Sequence, residues 1–208
     1  MGDSRLALLV AGVGAVGVLH TIVPDHWAPI ALLARQRNWS RRETARVAAG
    51  AGLGHAISTL AIGALAFFAG ALAAQRLGRY IDLTAGWALV GFGVWTVIEG
   101  VRELRARQPL QPATGLPSRT ALMLVLGSSP SIEVVPAFLA AAPLGVKAFV
   151  ALALVFSIAT IATYVITCAL SSAGLERIRF PAFERYGEVI AGSLIASIGL
   201  TFLVWFRP

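Results

Sequence analysis

The chain has 208 residues, a formal net charge of +7, a hydrophobic fraction of 57% and only 13% charged residues. Soluble domains carry about 25% charged residues, and a soluble fold of this size hides only about 70% of the surface its unfolded chain exposes. Lipid is therefore the expected solvent, and most readings as a cytosolic enzyme or a nucleic-acid module are excluded. The excess of arginine belongs to loops that face anionic lipid.

A membrane-spanning helix needs about 20 mainly apolar residues. Six segments qualify: 6–34, 47–74, 80–101, 120–142, 146–171 and 186–206. The first opens with Leu6–Leu19 behind Arg5, which resembles a signal peptide. The continuation His20-Thr-Ile-Val-Pro-Asp-His-Trp27 lacks a small-residue cleavage site, so a retained helix is expected. Pro24 has no N–H, and its ring clashes with the carbonyl four residues earlier, so this helix should break there and free the His20 carbonyl. The second segment carries Gly54-His55-Ala-Ile-Ser58-Thr59, preceded by the small-residue run Gly50–Gly54 that should allow close helix packing.

The third segment ends at the only Pro/Gly-rich stretch, Gln108–Pro117, so residues 1–107 and 119–208 form two halves joined by a linker, 108–118. The fourth contains Pro130, Glu133 and Pro136 and should also be broken, at Pro130. Ser128, Ser129 and Ser131 beside it can cap half-helices or line a polar path. The fifth holds the sole cysteine, Cys168, so no internal disulfide can form. In the sixth, Glu188 lies near the start and reads, like Glu99, as an interfacial residue. Trp27, Trp39 and Trp205 read as interface anchors.

Loops one, three and five hold twelve of the 17 basic residues, from Arg35 to Arg185, and the other side holds Arg5, Arg76, Arg79, Lys147 and Arg207. This asymmetry places both termini outside a plasma (inner) membrane. The halves also echo each other. Pro24-Asp-His-Trp-Ala-Pro29 and Pro130-Ser-Ile-Glu-Val-Val-Pro136 each set an acidic residue between two prolines ahead of an apolar run. Three helices is an odd number, so two such halves are inverted relative to each other, and inverted repeats with broken helices mark transporters. The expected fold is an all-α membrane protein of six transmembrane helices, arranged as two inverted three-helix repeats.

All three histidines, His20, His26 and His55, lie in the first two apolar segments together with Asp25. An ionisable residue inside a membrane helix is expensive and marks a functional site by default. Counting from the cytoplasmic helix ends at 1.5 Å per residue, His26 and His55 both lie about 12 Å deep, and His20 and Glu133 both about 21 Å deep. Imidazole nitrogen with carboxylate oxygen suits nickel, cobalt, zinc or copper. His20, Asp25, His26 and His55 are the candidate ligands. Ser58, Thr59, Ser129, Ser131 and Glu133 are candidates for orienting them or lining the path.

His-x4-Asp-His in one membrane helix, followed by Gly-His-x-x-Ser-Thr in the next, resembles the nickel/cobalt transporter (NiCoT or NicO) family. His20, Asp25 and His26 match that family's HX4DH signature, and Gly54 and His55 match its Gly-His-Ser-type motif loosely. The motif resemblance covers roughly residues 17–60. It implies secondary transport of nickel or cobalt, with zinc also suited, as cargo rather than cofactor, and membership of the lysine-exporter superfamily of inverted three-helix repeats. The chain departs from the family in having no histidine-rich loop and six rather than, as in some members, eight helices. Two other readings stay open: an intramembrane zinc-dependent hydrolase, for which no HExxH is present, and a proton-coupled exporter of a non-metal solute. Expected partners are a divalent ion and membrane lipid, with no nucleic acid; assembly as a homo-oligomer stays open.

Overall fold

The computed structural model describes residues 2–77, 80–106, 118–172 and 181–205. Arg79, Arg107, Arg177, Arg179, Arg207, the side chain of Trp205 and all of the expected linker except Ser118 lie outside the described residues. The described chain is helical, with no strand: α1 (Gly2–Thr21), α2 (Pro24–Gln36), α3 (Arg41–Leu77), α4 (Tyr80–Ala106), α5 (Arg119–Gly127), α6 (Val135–Ala141), α7 (Val146–Ser172) and α8 (Pro181–Trp205). Short 3-10 turns at Ile132–Val134 and Ala142–Leu144 flank α6.

Six helical stretches are long and apolar enough to cross a membrane, and they overlap the six apolar segments of the sequence. Large apolar side chains cover the outside: Leu65 is 72% exposed and Ile158 67%. A water-soluble protein seldom exposes so much contiguous apolar surface, whereas lipid solvates it.

Helix α3 starts earlier than its apolar run. Ser40 and Glu43 form a capping box: the Glu43 carboxylate accepts from the Ser40 N–H at 3.0 Å, and the Ser40 hydroxyl accepts from the Glu43 N–H at 3.2 Å. Arg41, Arg42 and Arg46, read from the sequence as loop, are therefore helical. At 37 residues α3 is about 55 Å long, well beyond a hydrocarbon core of about 30 Å, so its basic first turns project past the apolar slab. Glu43 also pairs with Arg119 at 3.0 Å, fixing the start of α5 beside the start of α3. Ser118 caps α5 by accepting from the Ala121 N–H.

Glycines set the directions of the helices. Gly50, Gly54, Gly63 and Gly70 of α3 lie against Met123, Gly127, Phe138 and Leu139, so α5 and α6 run alongside α3 in its own direction. Helix α7 runs the other way along α3, with Gly52 against Tyr164 and the Phe67 ring 5.1 Å from that of Phe149. Helices α1 and α2 follow α7 in its direction: Gly14 lies on Val155, Gly17 on Thr160, and Arg35 donates to the Ser171 carbonyl. Helices α4 and α8 form the most extensive pair and are antiparallel, with Gly86, Gly93 and Gly100 facing Leu203, Ala196 and Glu188.

Two apolar clusters fill the interior. One contains Phe138, Leu152 and Phe156; the other contains Trp27, Ile30, Tyr164 and Cys168. Trp27 is thus a core residue and not an interface anchor: it is 6% exposed, and its indole N–H donates to the Ile22 carbonyl at 2.9 Å. That bond satisfies a carbonyl left over where α1 gives way to α2.

Candidate metal centre

The chain leaves helical geometry at Ile22 and Val23 and resumes at Pro24, the first residue of α2. A proline at that position loses nothing, because the first N–H groups of a helix have no intrahelical acceptor. The His20 carbonyl is not freed as the sequence suggested, since the Val23 N–H reaches it at 3.3 Å. What the interruption changes is direction. On an unbroken helix, residues six apart point about 120° away from each other. Here the His20 and His26 ring centroids are 4.4 Å apart.

His55 of α3 completes the group, with its ring centroid 5.7 Å from His20 and 5.3 Å from His26. All three residues are buried, at 8%, 7% and 0% exposure for His20, His26 and His55. One nitrogen from each lies within 4.8 Å of the others. Two nitrogens bound to one ion at about 2.1 Å are at most about 4.2 Å apart, so small ring rotations bring the set into coordination range. The Tyr164 ring lies 6.0 Å from His26 and 6.1 Å from His55, and Phe156 packs 6.4 Å from His55. The walls are therefore aromatic and exclude water.

Each ring is held by its second nitrogen or by its neighbours, as metal-ligating imidazoles are. His26 Nδ1 is 2.6 Å from Asp25 Oδ1. Asp25 itself, 68% exposed at its side chain, is not in the nitrogen cluster; its place is behind His26. His55 Nε2 is 2.8 Å from the Ser131 hydroxyl, and the Ser131 N–H donates to Thr59 Oγ1 at 2.9 Å. That leaves His55 Nδ1 buried with no hydrogen-bond partner. An orphaned buried acceptor or donor costs about 1–3 kcal/mol, and a bound cation removes that cost. Ser58 stays off the rings: its hydroxyl lies 3.0 Å from the carbonyls of both His55 and Gly127, tying α5 to α3. Gly127 packs so closely on Gly54 that a Cβ on Gly54 would lie 3.0 Å from Gly127 Cα. Ser129 is exposed. Pro130 lies in the non-helical residues between α5 and the Ile132–Val134 turn.

Glu133 comes to 3.7 Å from His20 Nδ1. Glu188 of α8, read from the sequence as interfacial, comes closer still, at 3.0 Å. Helix α8 begins at Pro181, five residues before the apolar run, and this places Glu188 two turns inside the helix.

Removal of the Ser131 hydroxyl frees the His55 ring to turn. Ser131→Ala should weaken nickel affinity about 10- to 100-fold with the fold retained; equal affinities by calorimetry would show that this bond does not orient the ring.

Comparison with protein families, with curated proteins and with solved structures finds no match to this chain.

Proposed function

We propose that the protein is a secondary membrane transporter of divalent transition-metal ions, nickel or cobalt first, with His20, His26 and His55 as the ligands inside the membrane. The supporting observation is the meeting of three buried imidazoles from separate helical segments, one of them with an orphaned nitrogen. Imidazole donors select borderline divalent ions over calcium and magnesium. Asp25 acts through His26, orienting its ring and offsetting part of the cargo's charge.

The transport half of the reading rests on the helix directions. Helices α1 and α2 run against α5 and α6, α3 runs against α7, and α4 runs against α8. Corresponding elements of the two halves are thus antiparallel, as inverted repeats require. Pro24 and Pro130 both sit where a helical stretch is interrupted, positions at which proline's missing N–H is tolerated. The breaks put polar backbone beside the imidazoles, which a membrane protein tolerates where the backbone lines a cavity or is covered by protein. Cargo entering from one side binds at the breaks and leaves when the two halves rock about them. In this reading, the excess of arginine in loops one, three and five supports both termini lying outside a plasma (inner) membrane.

Nickel flux into proteoliposomes tests this. Saturable uptake, lost in His26→Ala, is the expected result; uptake no faster than in protein-free liposomes would overturn it. Protons and metal compete for the same imidazole lone pairs, so binding releases protons and weakens on acidification. Nickel affinity should fall as the pH is lowered; an affinity that does not change with pH would exclude imidazole ligation.

A further inference from the structure

His20 faces a second set of donors that the three-histidine centre does not use. Its Nδ1 lies 3.0 Å from Glu188 Oε1 and 3.7 Å from Glu133 Oε2. A nitrogen and two carboxylate oxygens, from α1, from the turn before α6 and from α8, all lie within 4.8 Å of one another. His20 Nδ1 lies in ion-pair range of Glu188, whereas Glu133 Oε2 is buried and makes no hydrogen bond. His20 is 8% exposed, and the Glu133 and Glu188 side chains are only 13% and 20% exposed. Two carboxylates gathered in a low-dielectric interior repel each other and lose their hydration unless a cation lies between them. A divalent ion balances both charges, and one imidazole with two carboxylates is a ligand set that first-row divalent ions accept.

Two small voids border these residues: one between α4 and the start of α8 has Glu188 in its lining, and an apolar one between α1, α4 and α8 has Glu133 in its lining.

We infer that His20, Glu133 and Glu188 form a second station for a divalent first-row cation, next to the three-histidine centre and sharing His20 with it. The inference rests on the reading of that centre as a metal site and gives it a neighbour with different chemistry. The first station is all nitrogen and holds later first-row ions tightly. The second is mostly oxygen and holds them more loosely, while accepting manganese, for which the first is a poor host. A cation passing between them keeps His20 within reach throughout, so it never gives up all protein ligands at once. Conduction through a dry interior needs such a sequence of sites, each weak enough to leave.

The two stations are separable with two probe ions on full-length protein in detergent: manganese, followed by loss of the free-ion paramagnetic resonance signal, and nickel, followed by calorimetry. Glu188→Gln and Glu133→Gln should each weaken manganese binding at least about tenfold and change nickel affinity by less than about threefold. Retained nickel binding also shows that each variant is folded. Glu188→Asp, which keeps the charge on a shorter stem, should retain part of the manganese affinity. His55→Ala should do the reverse and abolish tight nickel binding while manganese binding persists. Wild-type protein that binds no manganese, or manganese affinity unchanged in both glutamine variants, overturns the second station. Loss of both ions together in the glutamine variants also overturns it, in favour of one fused site. Nickel binding that survives His55→Ala overturns the three-histidine centre instead, whatever manganese does.

Discussion

His55→Ala will lower nickel affinity by two orders of magnitude or more, and the variant will still insert and fold. Loss of a residue that only orients a metal ligand costs about 10- to 100-fold, and loss of a ligand costs at least that. The fold should tolerate the change. His55 Nδ1 has no partner to lose, and Ser131 keeps its main-chain bond to Thr59 when the ring is gone. The small cavity left beside Phe156 and Tyr164 costs about 1–3 kcal/mol, within the margin of a normal domain. Isothermal titration with nickel, beside a thermal melt of the same sample, separates the two effects. Affinity within about threefold of wild type would remove His55 from the site.

The second large effect is purely one of packing. Gly93→Ala will destabilise the protein, and Gly91→Ala, two residues away on the same helix, will not. A Cβ at Gly93 would lie 2.4 Å from the Ala196 nitrogen and 2.6 Å from the Gly192 carbonyl oxygen. Both obstacles are backbone, so no side chain can rotate aside and α4 must move off α8. Around Gly91 nothing lies within 4 Å of the added carbon, and alanine is the better helix former by about 1 kcal/mol. Overpacking of this kind costs about 1–3 kcal/mol, which for a chain of this length lowers the melting temperature by about 2–12 °C. Equal melting temperatures for the two variants would mean that α4 and α8 are not in backbone contact.

Much of the site was legible because burial of charge in a membrane is so costly. His20, Asp25, His26 and His55 could be singled out from their positions in apolar runs. The depth arithmetic paired His26 with His55 and His20 with Glu133, and both pairs meet: 5.3 Å between ring centroids for the first and 3.7 Å between polar atoms for the second. Asp25 was placed among the ligands because sequence spacing cannot distinguish a carboxylate facing an ion from one facing the next imidazole; its contact with His26 Nδ1 is made with its own neighbour in the chain.

Glu188 was missed for a physical reason. Hydropathy marks where a helix becomes apolar, not where it begins, and α8 starts at Pro181. The same displacement hid the first turns of α3, although Ser40-Arg-Arg-Glu43 carries a capping-box pattern that could have been read directly. Trp27 was misassigned because a tryptophan beside a helix break has a use that periodicity does not show: its N–H satisfies the carbonyl that the break exposes. The glycines of α4, seven residues apart at Gly86, Gly93 and Gly100, line its contact with α8, a pairing that hydropathy does not reveal.

The most direct test of the three-imidazole centre is the X-ray absorption spectrum of the purified protein loaded with one equivalent of nickel. The account predicts outer-shell scattering from about three imidazole rings, reduced by one ring in any variant that keeps partial binding after loss of a histidine. A first shell of oxygen alone, with no imidazole scattering, would contradict it.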